Sequence, residues 1–360
     1  MKIAIDGSFL SDLNCGTGQF LHGLIRGLND VDRDNEYLIY SPFDPTFNFR
    51  LRGNFRWRTV KMLRISGTVR KILWEQLYLP SAVSKDQTDI LHVPYMSFPR
   101  FFNGCGVVTI YDIAGLKFKQ YRKGIKWKMY YGLVRNLAVR VNGIITTSQF
   151  SKSEIVKHLN LTEERVRVIY GGADQEQAGT DKETLEKKYG LSKKFILYVG
   201  SDDYRKNVFA LFGAYEQFAL KHQYELIVVG RVKAFNIPGI RRIGEVSRED
   251  LIGLYRIASL LVHPSFYEGF GLVVLEAMRY GCPVVASTAS SMPEVAGDAA
   301  LLVDSTRPEE ISGAMERILE NPELADELRR KGKDRAARFR WSESAKKTID
   351  FYRMVVNNKN

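Results

Sequence analysis

Two glutamates, Glu268 and Glu276, lie in the stretch His263-Pro264-Ser265-Phe266-Tyr267-Glu268-Gly269-Phe270-Gly271-Leu272-Val273-Val274-Leu275-Glu276-Ala277-Met278. An apolar strand ends at Pro264 and a glycine-bearing turn follows. A helix then starts near Gly271 and ends by Gly281-Cys282-Pro283. The first turn of a helix carries backbone N–H groups without intrahelical partners and a partial positive charge. Glycines there let a phosphate approach the backbone closely. Glu268 falls in the turn and Glu276 about two helical turns further on, so they form no close acid/base pair. Two separated carboxylates suit hydrogen bonds to two different sets of sugar hydroxyls. A bare pair of glutamates at this spacing would carry no information; the surrounding glycines and proline supply the signal.

Such a turn needs a strand before it and a helix after it, and this alternation recurs along the chain. Residues 3–6, 37–40, 90–93, 107–110, 143–147 and 166–170 read as strands in the first half. Phe20, Leu21, Leu24 and Leu28 have helical spacing, and Ser148 or Ser151 opens a further helix. Residues 174–184 are polar, charged or small, as linkers are, and mark a domain boundary. The pattern then restarts, with strands at 195–200, 225–229, 260–263, 284–286 and 300–303. Strands alternating with helices predict a parallel sheet covered on both faces. Two such runs in tandem predict two doubly wound, Rossmann-like α/β domains, at 1–173 and 174–338, facing a cleft. Ligands in these sheets bind beyond the carboxyl ends of the strands. No short-period repeat and no low-complexity segment is present.

With these motifs in view, the sequence resembles glycosyltransferase family 4, a retaining family with the GT-B fold. Its E-x7-E motif matches Glu268 and Glu276. The resemblance covers nearly the whole chain. It implies that Glu268 contacts hydroxyls of a donor hexose and that Glu276 binds the ribose of a nucleotide. The backbone around Gly269, Phe270, Gly271 and Leu272 would face the diphosphate and sugar. Gly200 to Asn207 resembles the family's strand-loop-helix with a basic pair, so Arg205 and Lys206 would grip the diphosphate and stabilise its charge as it departs. On their own, these two residues also read as a solvated helix start. Gly244-Glu245-Val246 resembles the segment whose backbone reads the base, and Arg231 joins this donor-binding set. Ser291-Met292-Pro293-Glu294-Val295 resembles the loop and short helix that follow the motif helix. Gly16-Thr17-Gly18 matches the glycine-rich first loop, expected to close over the diphosphate, although two glycines before a helix are common. Phe339-Arg340-Trp341-Ser342 resembles the start of a last helix, 339–360, that returns to the first domain.

One departure is visible. Many relatives carry His-Asp after the strand equivalent to 107–110, and this chain has Tyr111-Asp112. Both residues are retained as catalytic candidates, with Tyr111 supplying a hydroxyl in place of the imidazole. His92 follows a strand and reads as a satisfied buried histidine. The resemblance favours front-face substitution with retention, in which the leaving phosphate helps deprotonate the acceptor. No Asp-x-Asp motif lies at a matching position, and Asp202-Asp203 lacks its spacing, so no metal or other cofactor is expected.

The remaining expectations come from composition. The 360 residues carry a net charge of +12, which favours anionic partners without choosing among them. Cys15, Cys105 and Cys282 are far apart, which argues against a zinc site or a disulfide framework and fits a reducing compartment. The opening apolar run is too short for a signal-peptide core, and no apolar run reaches about 18 residues. A cytoplasmic location follows, with possible attachment to the inner face of the membrane. Residues 117–140 include Lys117, Lys119, Arg122, Lys123, Lys126, Lys128, Arg135 and Arg140 among aromatic residues, with no acidic residue. Such a basic aromatic helix suits an anionic membrane surface and a lipid-linked acceptor. A solvated helix with one core-facing stripe fits the same pattern. A second basic cluster, Arg56, Arg58, Lys61, Arg64, Arg70 and Lys71, points the same way. The expected activity is transfer of a hexose from a UDP- or GDP-sugar to a saccharide or lipid-linked acceptor in envelope polysaccharide synthesis. A nucleotide-sugar epimerase of the same fold and a non-catalytic membrane-surface binder are the alternatives. Nothing resembles a nucleic-acid module.

Overall fold

Among the described residues, short apolar runs bounded by turns become thirteen parallel strands in two sheets. They appear in a computed structural model that describes all residues except 13–14, 45–48, 63–66, 123–133, 135–139, 175–177 and 359–360. The chain divides into two units: Met1–Gly172 with Trp341–Asn360, and Ala173–Arg340.

The first unit holds β1 (Lys2–Asp6), β2 (Glu36–Ser41), β3 (Phe55–Thr59), β4 (Ile90–Val93), β5 (Cys105–Thr109), β6 (Gly143–Thr146) and β7 (Val166–Val168), in the order β3-β2-β1-β4-β5-β6-β7. The second holds β8 (Lys194–Val199), β9 (Tyr224–Val229), β10 (Ile240–Gly244), β11 (Leu260–His263), β12 (Val284–Ser287) and β13 (Leu301–Val303), in the order β10-β9-β8-β11-β12-β13. Successive side chains alternate between faces. Ile3 and Ile5 therefore join one core layer and Ala4 the other, as do Ile196 and Tyr198 against Phe195 and Leu197. Central strands buried on both faces read as unbroken apolar runs, and for that reason the sequence shows them. The edge strands β3 and β10 carry Arg56, Arg58, Arg241 and Arg242 and are not visible as apolar runs. Charged residues of this kind are usual on sheet edges.

In the first unit the helix Gly16–Val31 packs along the last helix, Trp341–Asn357. Glycine permits the close approach. A Cβ at Gly23 would stand 2.1 Å from the Trp341 ring, and one at Gly27 would stand 2.4 Å from its carbonyl oxygen. Tyr352 of the last helix meets Nδ1 of His92 at 2.6 Å, and Thr109 meets Nε2 at 2.8 Å. Burial lowers the imidazole to about 3, so His92 is a neutral core residue with both ring nitrogens partnered.

Each sheet reverses its order once, between β1 and β4 in the first unit and between β8 and β11 in the second. Crevices at such reversals, outside the carboxyl ends of the strands, are where open α/β sheets take ligands. Among the described residues, no helix is long and apolar enough to cross a membrane.

Candidate active site

The second unit's reversal gathers most of the residues singled out from the sequence. After β8 the chain passes Gly200 into a short turn, Tyr204–Lys206, whose cap is Asp203. The Asp203 carboxylate accepts from the Arg205 amide at 3.0 Å and from Arg205 Nε at 3.3 Å. Asn207 then takes a left-handed backbone, φ 54°, which Asn tolerates better than most residues. Its Nδ2 donates to the carbonyls of Pro264 at 3.3 Å and Ser305 at 2.7 Å, tying this turn to the loop that leaves β11. The Phe266 amide donates to the Arg205 carbonyl at 3.1 Å, a second tie between the same segments.

These ties bring Lys206 to Glu268. Lys206 Nζ lies 2.6 Å from Glu268 Oε1, and His263 Nε2 lies 2.9 Å from the same oxygen. Ser265 Oγ also reaches His263 Nε2, at 3.2 Å. The backbone of Glu268 is fixed as well: its amide donates to Ser290 Oγ at 3.0 Å, and Ser291 Oγ donates to its carbonyl at 3.0 Å. Glu268 is only 7% exposed. Burial alone would raise its carboxyl. The Lys206 ammonium, the His263 hydrogen bond and the more distant Arg205 outweigh that cost and hold it well below the usual carboxylate range. Glu268 is therefore an ionised, acceptor-only group at neutral pH.

Gly271 caps the helix Leu272–Arg279 with φ 107°, and a Cβ there would meet Met292 Cε at 2.3 Å. The left-handed backbone is what requires glycine here, since the flexible end of Met292 could move aside. Glu276 sits in the second turn of this helix, buried, with Arg248 Nη2 at 2.7 Å from Oε1 and the Tyr255 hydroxyl donating to Oε2 at 3.5 Å. Burial works against the Arg248 cation, but the Glu276 carboxylate raises the guanidinium further. The loops after β8, β9 and β10 also converge. The Gly230 amide donates to the Gly244 carbonyl at 2.8 Å, and a Cβ on Gly230 would stand 2.0 Å from the Gly200 carbonyl oxygen. Arg231 Nε pairs with Glu245 Oε1 at 3.0 Å on the surface, and Val246 packs against the core beside them.

Four expected residues lie in the first unit. Gly16 opens the 16–31 helix with open space around its α-carbon. A Cβ at Gly18 would stand 2.2 Å from the Asp12 carbonyl oxygen, so close backbone packing explains that glycine. Tyr111 meets Phe20 edge-on at 5.1 Å, and burial raises its phenol well above the usual value. Asp112 Oδ1 accepts from the Ala114 amide at 2.8 Å, just before the short helix Ala114–Lys117. Of the basic aromatic stretch, residues 123–133 and 135–139 lie outside the described residues, as does Arg64 of the second basic cluster. Lys117 is ion-paired with Glu154 at 2.5 Å rather than solvated alone.

Sequence reasoning gave no role to His263 or Arg248. His263 ends β11, five positions before Glu268, and its place at the motif's first position was the available signal. Arg248 reaches Glu276 across 28 positions from the start of another helix, a pairing that no local pattern encodes.

Two parallel-sheet α/β units, each with one reversal of strand order, fit the two-domain GT-B fold, and cation-paired carboxylates mark the second unit's reversal. Comparison with known proteins places the chain more narrowly. Residues 181–335 match the family model "Glycosyl transferases group 1", and residues 15–177 match "Glycosyltransferase Family 4". The chain is 30% identical to the O-antigen chain mannosyltransferase B of Escherichia coli over 284 residues, 74% of each protein. Sucrose-phosphate synthase from Thermosynechococcus elongatus superposes with a TM-score of 0.77 at 20% identity, covering 99% of this chain and 100% of that one. HepE of Anabaena, solved in complex with UDP-glucose, gives 0.74 at 18% identity, covering 98% and 99%. The chain belongs to glycosyltransferase family 4.

Proposed function

We propose that this glycosyltransferase moves a hexose, with mannose favoured, from a GDP- or UDP-linked donor to a saccharide or lipid-linked acceptor in envelope polysaccharide synthesis, with retention and without a metal ion. The observation that carries the donor site is Glu268, held ionised between Lys206 and His263 beside the start of the 272–279 helix. The similarity to an O-antigen mannosyltransferase supports the sugar and the polymer.

In this reading Glu268 accepts hydrogen bonds from donor hexose hydroxyls and Glu276 from the ribose. The Lys206 ammonium has three N–H bonds, and one directed at Glu268 leaves two for diphosphate oxygens. Lys206, Arg205 and the helix start would stabilise the leaving nucleoside diphosphate, the charge role a metal ion plays elsewhere. The acceptor oxygen bonds to the anomeric carbon as the bond to phosphate breaks on the same face, and the acceptor proton passes to a phosphate oxygen. Positioning and charge stabilisation then supply the rate enhancement. In this reading Tyr111 and Asp112 serve the acceptor from the first unit, which also holds Gly16 and Gly18 in the first turn of the 16–31 helix. The excess of basic residues favours work at an anionic membrane on the cytoplasmic side, through residues 117–140.

Thermal stabilisation against a panel of nucleotides and nucleotide sugars tests the reading, since a ligand that binds only the folded state raises the melting temperature. A shift with GDP or UDP, enlarged by one attached sugar, is expected and names the donor. No shift with any nucleotide overturns the donor site.

A further inference from the structure

Glu268 Oε1 meets two nitrogens, and they differ in kind. Lys206 Nζ, at 2.6 Å, ends a long flexible stem whose side chain is 21% exposed. His263 Nε2, at 2.9 Å, belongs to a ring that is 1% exposed. His263 is the last residue of β11 and pairs with Ala286 of β12, so its backbone is part of the sheet. Ser265 Oγ lies 3.2 Å from the same ring nitrogen. Nδ1 is buried without a hydrogen-bond partner among the described residues.

These contacts decide where the ring hydrogen sits. Glu268 is ionised and can only accept. A hydrogen on Nδ1 would be a buried donor without an acceptor, and it would leave the Nε2 lone pair facing the carboxylate. With the hydrogen on Nε2 the repulsion is gone, and only a lone pair at Nδ1 stays unmet. Nε2–H then donates to Glu268, and Ser265 Oγ takes at most a share of the same hydrogen.

We propose that His263 is the positioning residue of the donor site: its Nε2–H holds the Glu268 carboxylate in place for the hexose hydroxyls while Lys206 turns toward the diphosphate. An enclosed ring on a sheet strand cannot follow a ligand, whereas the lysine ammonium can. A carboxylate with Lys206 as its sole partner would lose its orientation when Lys206 engages phosphate, or keep Lys206 from doing so. Orientation of this kind is a large part of what an active site supplies. This role rests on the donor reading given above.

The test titrates the full chain calorimetrically with GDP, UDP, GDP-mannose and UDP-glucose. The quantity read is the gain in affinity that the attached sugar brings over the matching nucleotide. His263→Phe keeps a ring without a donor and should cut that gain about tenfold. His263→Gln offers an amide N–H near the Nε2 position and should recover most of it. A histidine that only fills space predicts the reverse order, because phenylalanine fills the site better. Nitrogen-15 NMR of the wild type, with His263 assigned among the five histidines by its absence from the Gln variant, should show the hydrogen on Nε2. A hydrogen on Nδ1 alone overturns the proposal, even where a variant folds poorly. So does a sugar-dependent gain that persists in His263→Phe, or one that His263→Gln does not recover. If no nucleotide binds the wild type, or the sugar adds nothing, the donor reading fails and this role with it. If the gain is present and survives in His263→Phe, the role fails alone.

Discussion

The two sheet reversals share a topology and differ in how they treat buried carboxylates. At β8/β11, Glu268 and Glu276 each meet a cation, Lys206 at 2.6 Å and Arg248 at 2.7 Å. At β1/β4, Asp6 and Glu75 each spend one oxygen on neutral donors and leave the other without a hydrogen bond. Cation pairing keeps Glu268 ionised despite burial. Without close pairing, burial pushes Asp6 and Glu75 upward. The same fold position thus holds an ionised carboxylate in one unit and carboxyls raised by burial in the other.

The largest expected effect comes from removing the fixed charge. Glu268→Ala should lower transfer by at least about a thousandfold while GDP or UDP still raises the melting temperature. Turnover near the wild-type rate in a radiolabelled-sugar assay would remove Glu268 from the donor site. Next comes its cation. Lys206→Met leaves a buried carboxylate with His263 as its nearest support, and breaking such a pair costs about 3–5 kcal/mol. Urea unfolding should show a loss near the lower end of that range, with weakened nucleotide binding; unchanged stability and unchanged nucleotide affinity would erase the contrast between the two reversals.

The opposite tuning predicts opposite pH behaviour. The Glu75 carboxyl lies at about 7 when folded, against about 4.5 unfolded. Between those values the folded state holds a proton that the unfolded chain has released, so stability falls as pH rises through the window and is fully present below it. Lys71 and Asp6 are the charged groups facing it, and they act in opposite directions. Glu75→Gln removes the titration. Relative to the wild type it should gain about 3 kcal/mol between pH ~4.5 and ~7. For Glu268 the sign reverses: its contribution is present above the unfolded value and fades as pH falls through the depressed folded value. Parallel unfolding curves for Glu75→Gln and wild type would mean that Glu75 is ionised in the fold like Glu268.

What the sequence revealed divides along the same line. Runs such as Phe195-Ile196-Leu197-Tyr198-Val199 announce buried parallel strands, and the motif from His263 to Met278 announces the proposed donor site, because strand, turn and helix there are contiguous. The β3 and β10 edges did not show, since Arg56, Arg58, Arg241 and Arg242 break their apolar pattern. Nor did the Asp6–Glu75 cluster, whose members are brought together by the Trp74 hydrogen bond to the end of β1, across 68 positions. Cation pairing was equally hidden. Lys206 was singled out for a diphosphate, yet the structure gives it a carboxylate partner 62 positions away.

The smallest effect sharpens the comparison within the second unit itself. Arg248 spends Nη2 on Glu276, while its Nη1 is buried without a hydrogen-bond partner among the described residues. Arg248→Met keeps much of the side-chain packing and removes only the charge and the donors. Glu276 would lose its cation but keep the Tyr255 hydroxyl at 3.5 Å, so the helix should stay folded and the carboxylate should become less well oriented. One lost charged hydrogen bond predicts about tenfold weaker nucleotide binding. Since the reacting centre is untouched, kcat should change little while KM for the donor rises. Arg248→Lys restores the charge without the planar fork and should recover only part of the affinity. A fall in kcat at unchanged KM would instead assign Arg248 to the transition state, and the pairing that distinguishes the β8/β11 reversal would then serve the reaction rather than the grip on the nucleotide.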